Sequence, residues 1–160
     1  MKAKTRNAAE TVAESAAGKS LGVNWEQTGV LYARIALGGA FLSAVAGRFG
    51  LWDRTLDMKH FANFVEYAAK VNSFLPASVI PFVAWAATAA ETSLGILLIL
   101  GVWPRWTSLA AAVLLAMFGT AMAISFGLKS PMDYSVFSAS SAAALLALCA
   151  RRSQTQISTT

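Results

Sequence analysis

The sequence predicts an all-α membrane protein: a four-helix antiparallel transmembrane bundle with an interfacial amphipathic helix between the first and second spans. Three observations predict it. Apolar residues make up 56% of the 160-residue chain and charged residues only 13%, against roughly 45–50% and 25% in soluble domains. The apolar excess is gathered into four runs rather than spread through an amphipathic pattern. Two of those runs each hold a charge of opposite sign, Arg34 and Glu91, and a charge within a bilayer costs several kcal/mol unless it is answered.

Residues 1–27 form a polar, Ala-rich tail. Lys2, Lys4, Arg6 and Lys19 stand beside Glu10, Glu14 and Glu26 with no apolar run behind the early positive charges. That is unlike a cleaved secretory signal. Ala8 to Ala17 reads as a short surface helix stopping at Gly18 or as a disordered segment.

The first span, about residues 28–50, is long enough for a hydrocarbon core of about 30 Å. Gly39, Ser43 and Gly47 recur every four residues as a ridge that lets helices approach closely. Arg34, Gly38, Phe41, Val45 and Arg48 share another face. Residues 57–72 are amphipathic instead, with Phe61, Phe64, Val65, Ala68 and Val71 on one side and Lys59, Asn63, Glu66 and Lys70 on the other. Asp57 is its expected N-cap. Such a helix lies in the interface, covers the mouth of the bundle or docks a partner.

The second span, about 77–101, tolerates Pro81 in its first turn and stacks Ala87, Glu91 and Gly95 on one inward face. A short turn with Trp103, Pro104 and Arg105 leads to the third span, about 106–128, with Ser108, Ala112, Ala116 and Thr120 as its ridge. In the segment LKSPMDYS, Ser130, Pro131 and Asp133 fit N-cap, N1 and N3 of a fourth helix. That span, about 134–150, is near the lower length limit for crossing. A polar tail, 151–160, follows.

Counting Lys and Arg by side gives the orientation. With both termini cytoplasmic, the inner side carries Lys2, Lys4, Arg6, Lys19, Arg105, Arg151 and Arg152. The outer side carries Arg48, Arg54, Lys59, Lys70 and Lys129. Seven against five favours a multi-pass protein of the bacterial or archaeal inner membrane with both ends inside. The net charge of +5 is not gathered into a basic groove with aromatics, which argues against nucleic acid as a partner.

Glu91 and Arg34 are the candidate catalytic residues. Counted from the middle of antiparallel spans, they fall on the same side with an offset of about 6–7 Å, within reach of the two side chains. Three readings follow: a structural ion pair fixing register, a polar pocket binding a quinone head or small anion, or Arg34 snorkelling to the interface beside an unpaired Glu91. Cys149 is the single cysteine and His60 the single histidine. An internal dithiol and a bis-histidine haem are therefore excluded, and no metal site is expected.

An arginine entering the first span ahead of ALGGAFL, a basic residue at its end, the glutamate of AAETSLGILLILG, Arg105 just beyond, and LKSPMDYS before the last span together resemble the DoxX family over residues 28–150. The resemblance implies a four-helix inner-membrane bundle associated with quinone-linked redox systems. Some DoxX relatives are named as subunits of a thiosulfate:quinone oxidoreductase or a terminal quinol oxidase, and PMDYSVFS looks closest to the thiosulfate branch. It marks Arg34, Glu91, Arg48, Arg105, Asp133 and Tyr134, the last four as cofactor-binding candidates. The fold also looks like that of vitamin K epoxide reductase, but the chain lacks the cysteine pairs of that mechanism. Two functions follow: a small membrane subunit of a quinone-linked redox complex with partner subunits, or a non-catalytic scaffold stabilising a larger membrane assembly. A solute carrier is disfavoured, because no internal repeat or broken-helix pair is visible.

Overall fold

The computed structural model describes residues 25–54 and 56–157, with side chains described as far as Arg151. The short helix expected at 8–17 lies outside the described residues. Among the described residues the structure is helical throughout, without strands. Helix α1 is Trp25–Arg48, α2 Met58–Val71, α3 Ile80–Leu100, α4 Pro104–Phe126, α5 Lys129–Asp133 and α6 Val136–Ile157; a single 3-10 turn, Ala77–Val79, precedes α3.

Among the described residues three segments are long and apolar enough to cross a membrane: Trp25–Arg48, Ala77–Leu100 and Pro104–Phe126. The apolar part of α6, Val136–Arg151, is shorter. The chain around it departs from expectation. Ser130 and Pro131 do not start the long helix but belong to α5, which has no side-chain cap. Ser135 then takes a left-handed φ of 54°, and α6 begins one residue later. Packing explains the break, since Pro131 is fully buried while the Asp133 carboxylate turns outward to Lys129.

Other starts and stops follow the sequence. Asp57 accepts a hydrogen bond from the Lys59 amide at the N-terminus of α2. Pro81 occupies the first turn of α3 as expected, whereas Pro104, expected in the turn before α4, opens that helix instead; at both places the missing N–H is one of the unpaired four. Gly101 closes α3 with φ 74°, the left-handed geometry glycine adopts without strain.

The long helices form two tight antiparallel pairs, α1 on α3 and α4 on α6. In the first pair the close approach is at Gly38 and Gly95. A Cβ on Gly38 would lie 2.8 Å from the Gly95 carbonyl oxygen, so these two backbones touch. The expected ridge is not the contact: Gly39 has nothing within 4 Å of a Cβ position, and Gly47 meets only Trp52. Gly39 and Gly47 lie on the side of α1 turned away from α3.

In the second pair Gly119 faces the Phe137 ring, and the Ser140 hydroxyl donates to the Ala112 carbonyl at 2.8 Å. The expected ridge of α4 holds at Ser108 and Ala112, which are buried, while Thr120 is exposed. The two pairs meet in a core of Phe41, Leu98, Ala111, Ala112 and Ala143.

Helix α2 lies across the other end. Its apolar side packs Phe61 and Ala68 against Ile80 and Ala84 of α3, and the Phe61 ring stacks on Phe49 and tilts against Trp85. The Ser125 hydroxyl at the end of α4 donates to the Val71 carbonyl at 2.5 Å, which ties α2 to the second pair as well.

Candidate functional site

The interior carboxylate does meet an arginine, but the arginine is Arg48. Its Nη2 lies 2.6 and 2.8 Å from Glu91 Oε1 and Oε2, and its Nη1 donates to Thr88 Oγ1 at 2.9 Å. Thr88 in turn donates to the Ala84 carbonyl. Above the pair, the Phe64 ring of α2 covers the guanidinium, with its centroid 3.8 Å from Cζ. Glu91 is only 2% exposed and the Arg48 side chain 11%. Two opposite charges, largely withdrawn from solvent and hydrogen-bonded to each other and to Thr88, are tolerable where either alone is costly. A cation over an aromatic face adds to that.

Arg34, expected to pair with Glu91, is engaged elsewhere. Its Nε donates to the Leu98 carbonyl at 2.9 Å and its Nη2 to the Ile99 carbonyl at 3.3 Å. These belong to the last turn of α3, whose carbonyls lack helical partners and carry the negative end of the helix dipole. The guanidinium rests against Gly101, where an added Cβ would collide with Nη2.

Helix register explains the exchange of partners. The Gly38–Gly95 contact puts Glu91 level with about residue 42 of α1. Arg48 starts about 9 Å above that level and Arg34 about 12 Å below it. Helical side chains lean toward the N-terminus. The lean brings Arg48 down to Glu91 and carries Arg34 away from it, toward the end of α3. Both arginines do lie on the face predicted for them, with Gly38 and Phe41 buried between.

The Arg48–Glu91 pair forms part of the wall of a cavity of about 900 Å³ between the two helix pairs and beneath α2. Leu37, Phe41 and Ala87 line it from the first pair, and Ala116, Met117 and Ala139 from the second. Tyr134, one of the marked residues, lines it together with Tyr67 and Asn72 at the α2 end. Partial burial and the neighbouring Tyr134 push the Tyr67 phenol above its ordinary pKa, so it is a neutral donor at physiological pH.

The remaining marked residues stand apart. Asp133 pairs with Lys129 on the surface, and Arg105 sits at the start of α4 with its Cζ 5.0 Å from the Trp106 ring centroid. Thr88, Phe64, Tyr67 and Asn72 were not singled out from the sequence as site residues. The signal for Phe64 was its place on the apolar side of α2; the others carry no spacing that separates them from ordinary helix residues.

A family model described as methylamine utilisation protein MauE matches residues 26–150. No curated protein and no solved structure matches the chain. The MauE match overturns the resemblance to DoxX, and the thiosulfate:quinone role inferred from that resemblance loses its basis. The segments that carried it, ALGGAFL, AAETSLGILLILG and LKSPMDYS with the arginines beside them, are short and have packing roles of their own: Gly38 and Gly95 cross, Glu91 pairs with Arg48, and Pro131 is buried. The chain is a membrane protein of the MauE family.

Proposed function

We propose that this chain is an integral membrane accessory protein of a methylamine-utilisation redox system, with α6 as a fourth crossing and both termini cytoplasmic. In this reading the interior ion pair holds helices together, and bond-making chemistry belongs to partner proteins. One observation carries it: both oxygens of Glu91 are bound by a guanidinium that Thr88 and Phe64 also hold. A carboxylate so engaged is poorly placed to shuttle protons, whereas a register-setting pair needs this arrangement. With Cys149 as its one cysteine, the chain has no dithiol of its own to exchange. The description of the matching family supplies the methylamine connection.

The test replaces both charges by apolar groups, which removes proton chemistry while filling the same space. In a strain lacking the protein, the Arg48→Met/Glu91→Leu variant is expected to restore growth on methylamine to the wild-type level at equal membrane abundance. A folded, abundant double variant that restores nothing would make the pair catalytic and overturn the reading. A deletion strain that grows normally on methylamine would overturn the assignment to that system.

A further inference from the structure

The accessory role does not account for the cavity between the two helix pairs. Among the described residues that line it, Arg48 and Glu91 are the only charged ones, and these two neutralise one another. The space therefore offers no net charge to a phosphate, carboxylate or ammonium head, whose desolvation would go unanswered. Its polar groups are concentrated at the α2 end, in Tyr67, Tyr134 and Asn72. Neither phenol is hydrogen-bonded to another described residue, and the Asn72 amide nitrogen donates only to its own helix, at Ala68. Apart from the ion pair and Thr120, whose hydroxyl donates to the Ala116 carbonyl of its own helix, the rest of the described lining is apolar. On its α4 side Val113, Met117 and Ile124 are more than half exposed, on a helix long and apolar enough to lie in lipid. The volume of about 900 Å³ lies within the usual range of small-molecule sites.

We propose that this cavity binds a neutral, long-chain amphiphile taken up from the bilayer, its head accepting hydrogen bonds from Tyr67 and Tyr134 and its chain lying along α4. The occupant is identified by three matched properties: no net charge, oxygen acceptors at one end, and a tail that leaves through a lipid-facing side. Long-chain quinones are one member of this class. The site stands independently of the accessory role, because it follows from the lining alone.

The probe is decyl-benzoquinone, with dodecyl phosphate as a charged analogue of similar tail, added to the full-length protein in phosphatidylcholine nanodiscs and compared with empty discs. Saturable binding of the quinone probe is expected, with dodecyl phosphate at least tenfold weaker. Tyr67→Phe/Tyr134→Phe, which removes only two hydroxyls, should weaken the probe roughly twenty-five-fold, since each hydrogen bond is worth about a factor of five. Ala116→Leu, which adds three carbons to the lining of the cavity, should also lower the affinity; each variant is first shown to melt cooperatively. Absence of saturable binding to the folded wild type overturns the proposal. So does equal binding of dodecyl phosphate, which would make the occupant a phospholipid, and so does binding unchanged in both variants.

Discussion

The two helix pairs solve the same packing problem with different chemistry. Helices α1 and α3 are joined by charge: Arg48 meets Glu91 midway along α3, Arg34 takes the carbonyls at its end, and Gly38 and Gly95 let the backbones touch between them. Helices α4 and α6 are joined by small residues, with Gly119 against the Phe137 ring and Ser140 reaching the Ala112 carbonyl. In lipid, apolar contact alone gives little preference for one register over another. A buried ion pair gives a strong preference, since any slip leaves a charge unanswered. The first pair is thus fixed in register, and the second is fixed mainly in distance.

The largest expected effect comes from breaking the charge pair on one side only. Glu91→Leu leaves Arg48 buried without a carboxylate, and thermal melting in detergent should show a loss of about 3–5 kcal/mol. The Arg48→Met/Glu91→Leu variant should recover most of it. If the single variant melts like wild type, the pair does not set the register.

The glycines sharpen the contrast next. Gly38→Ala drives a methyl against the Gly95 carbonyl oxygen, which is backbone and cannot turn aside. An overpacking cost of about 1–3 kcal/mol is expected. For Gly119→Ala the nearest atoms belong to the Phe137 ring, which can rotate, so its melting temperature should fall less. The reverse order would mean that the second pair is the more tightly fixed. Smaller still, Ser140→Ala removes one hydrogen bond between α4 and α6 and should cost about 0.5–1.5 kcal/mol.

The smallest effect lies outside both pairs. The Glu66 carboxyl is held below its ordinary pKa by the hydrogen bond and the charge of Lys70. A lowered folded pKa means that its contribution is present above the unfolded pKa and is lost as pH falls through the folded one. Glu66 is fully exposed on α2, so solvent screens the pair. Glu66→Gln should leave the melting temperature unchanged at pH 7, and a clear fall would show α2 to depend on that pair.

Much of this arrangement was legible in the chain. The period of α2 and its Asp57 cap, the proline in the first turn of α3, and the shared face of Arg34 and Arg48 each follow from local spacing that packing did not override. The partner of Glu91 was not legible, because measuring depth from the middle of each span assumes that the two middles coincide. The real register is set by where two glycines cross, and side-chain lean then decides which arginine arrives. The ridge at Gly39, Ser43 and Gly47 failed for a related reason. A run of small residues allows close approach, but only the neighbour determines which side of the helix receives it. The cavity was out of reach, since it is the gap left where two pairs diverge beneath α2. The DoxX resemblance rested on short segments that packing also uses, so it marked Arg48 and Glu91, which do pair, while misnaming the family.

The seat of Arg34 on Gly101 has a consequence for how homologous sequences can vary. Nη2 occupies the space a methyl group at 101 would need, and the left-handed backbone there already discourages any other residue. The two positions should therefore change together: a chain that gains a side chain at 101 must shorten residue 34 and find another donor for the end of α3. Lineages keeping the long base at 34 should keep glycine at 101, sixty-seven positions away.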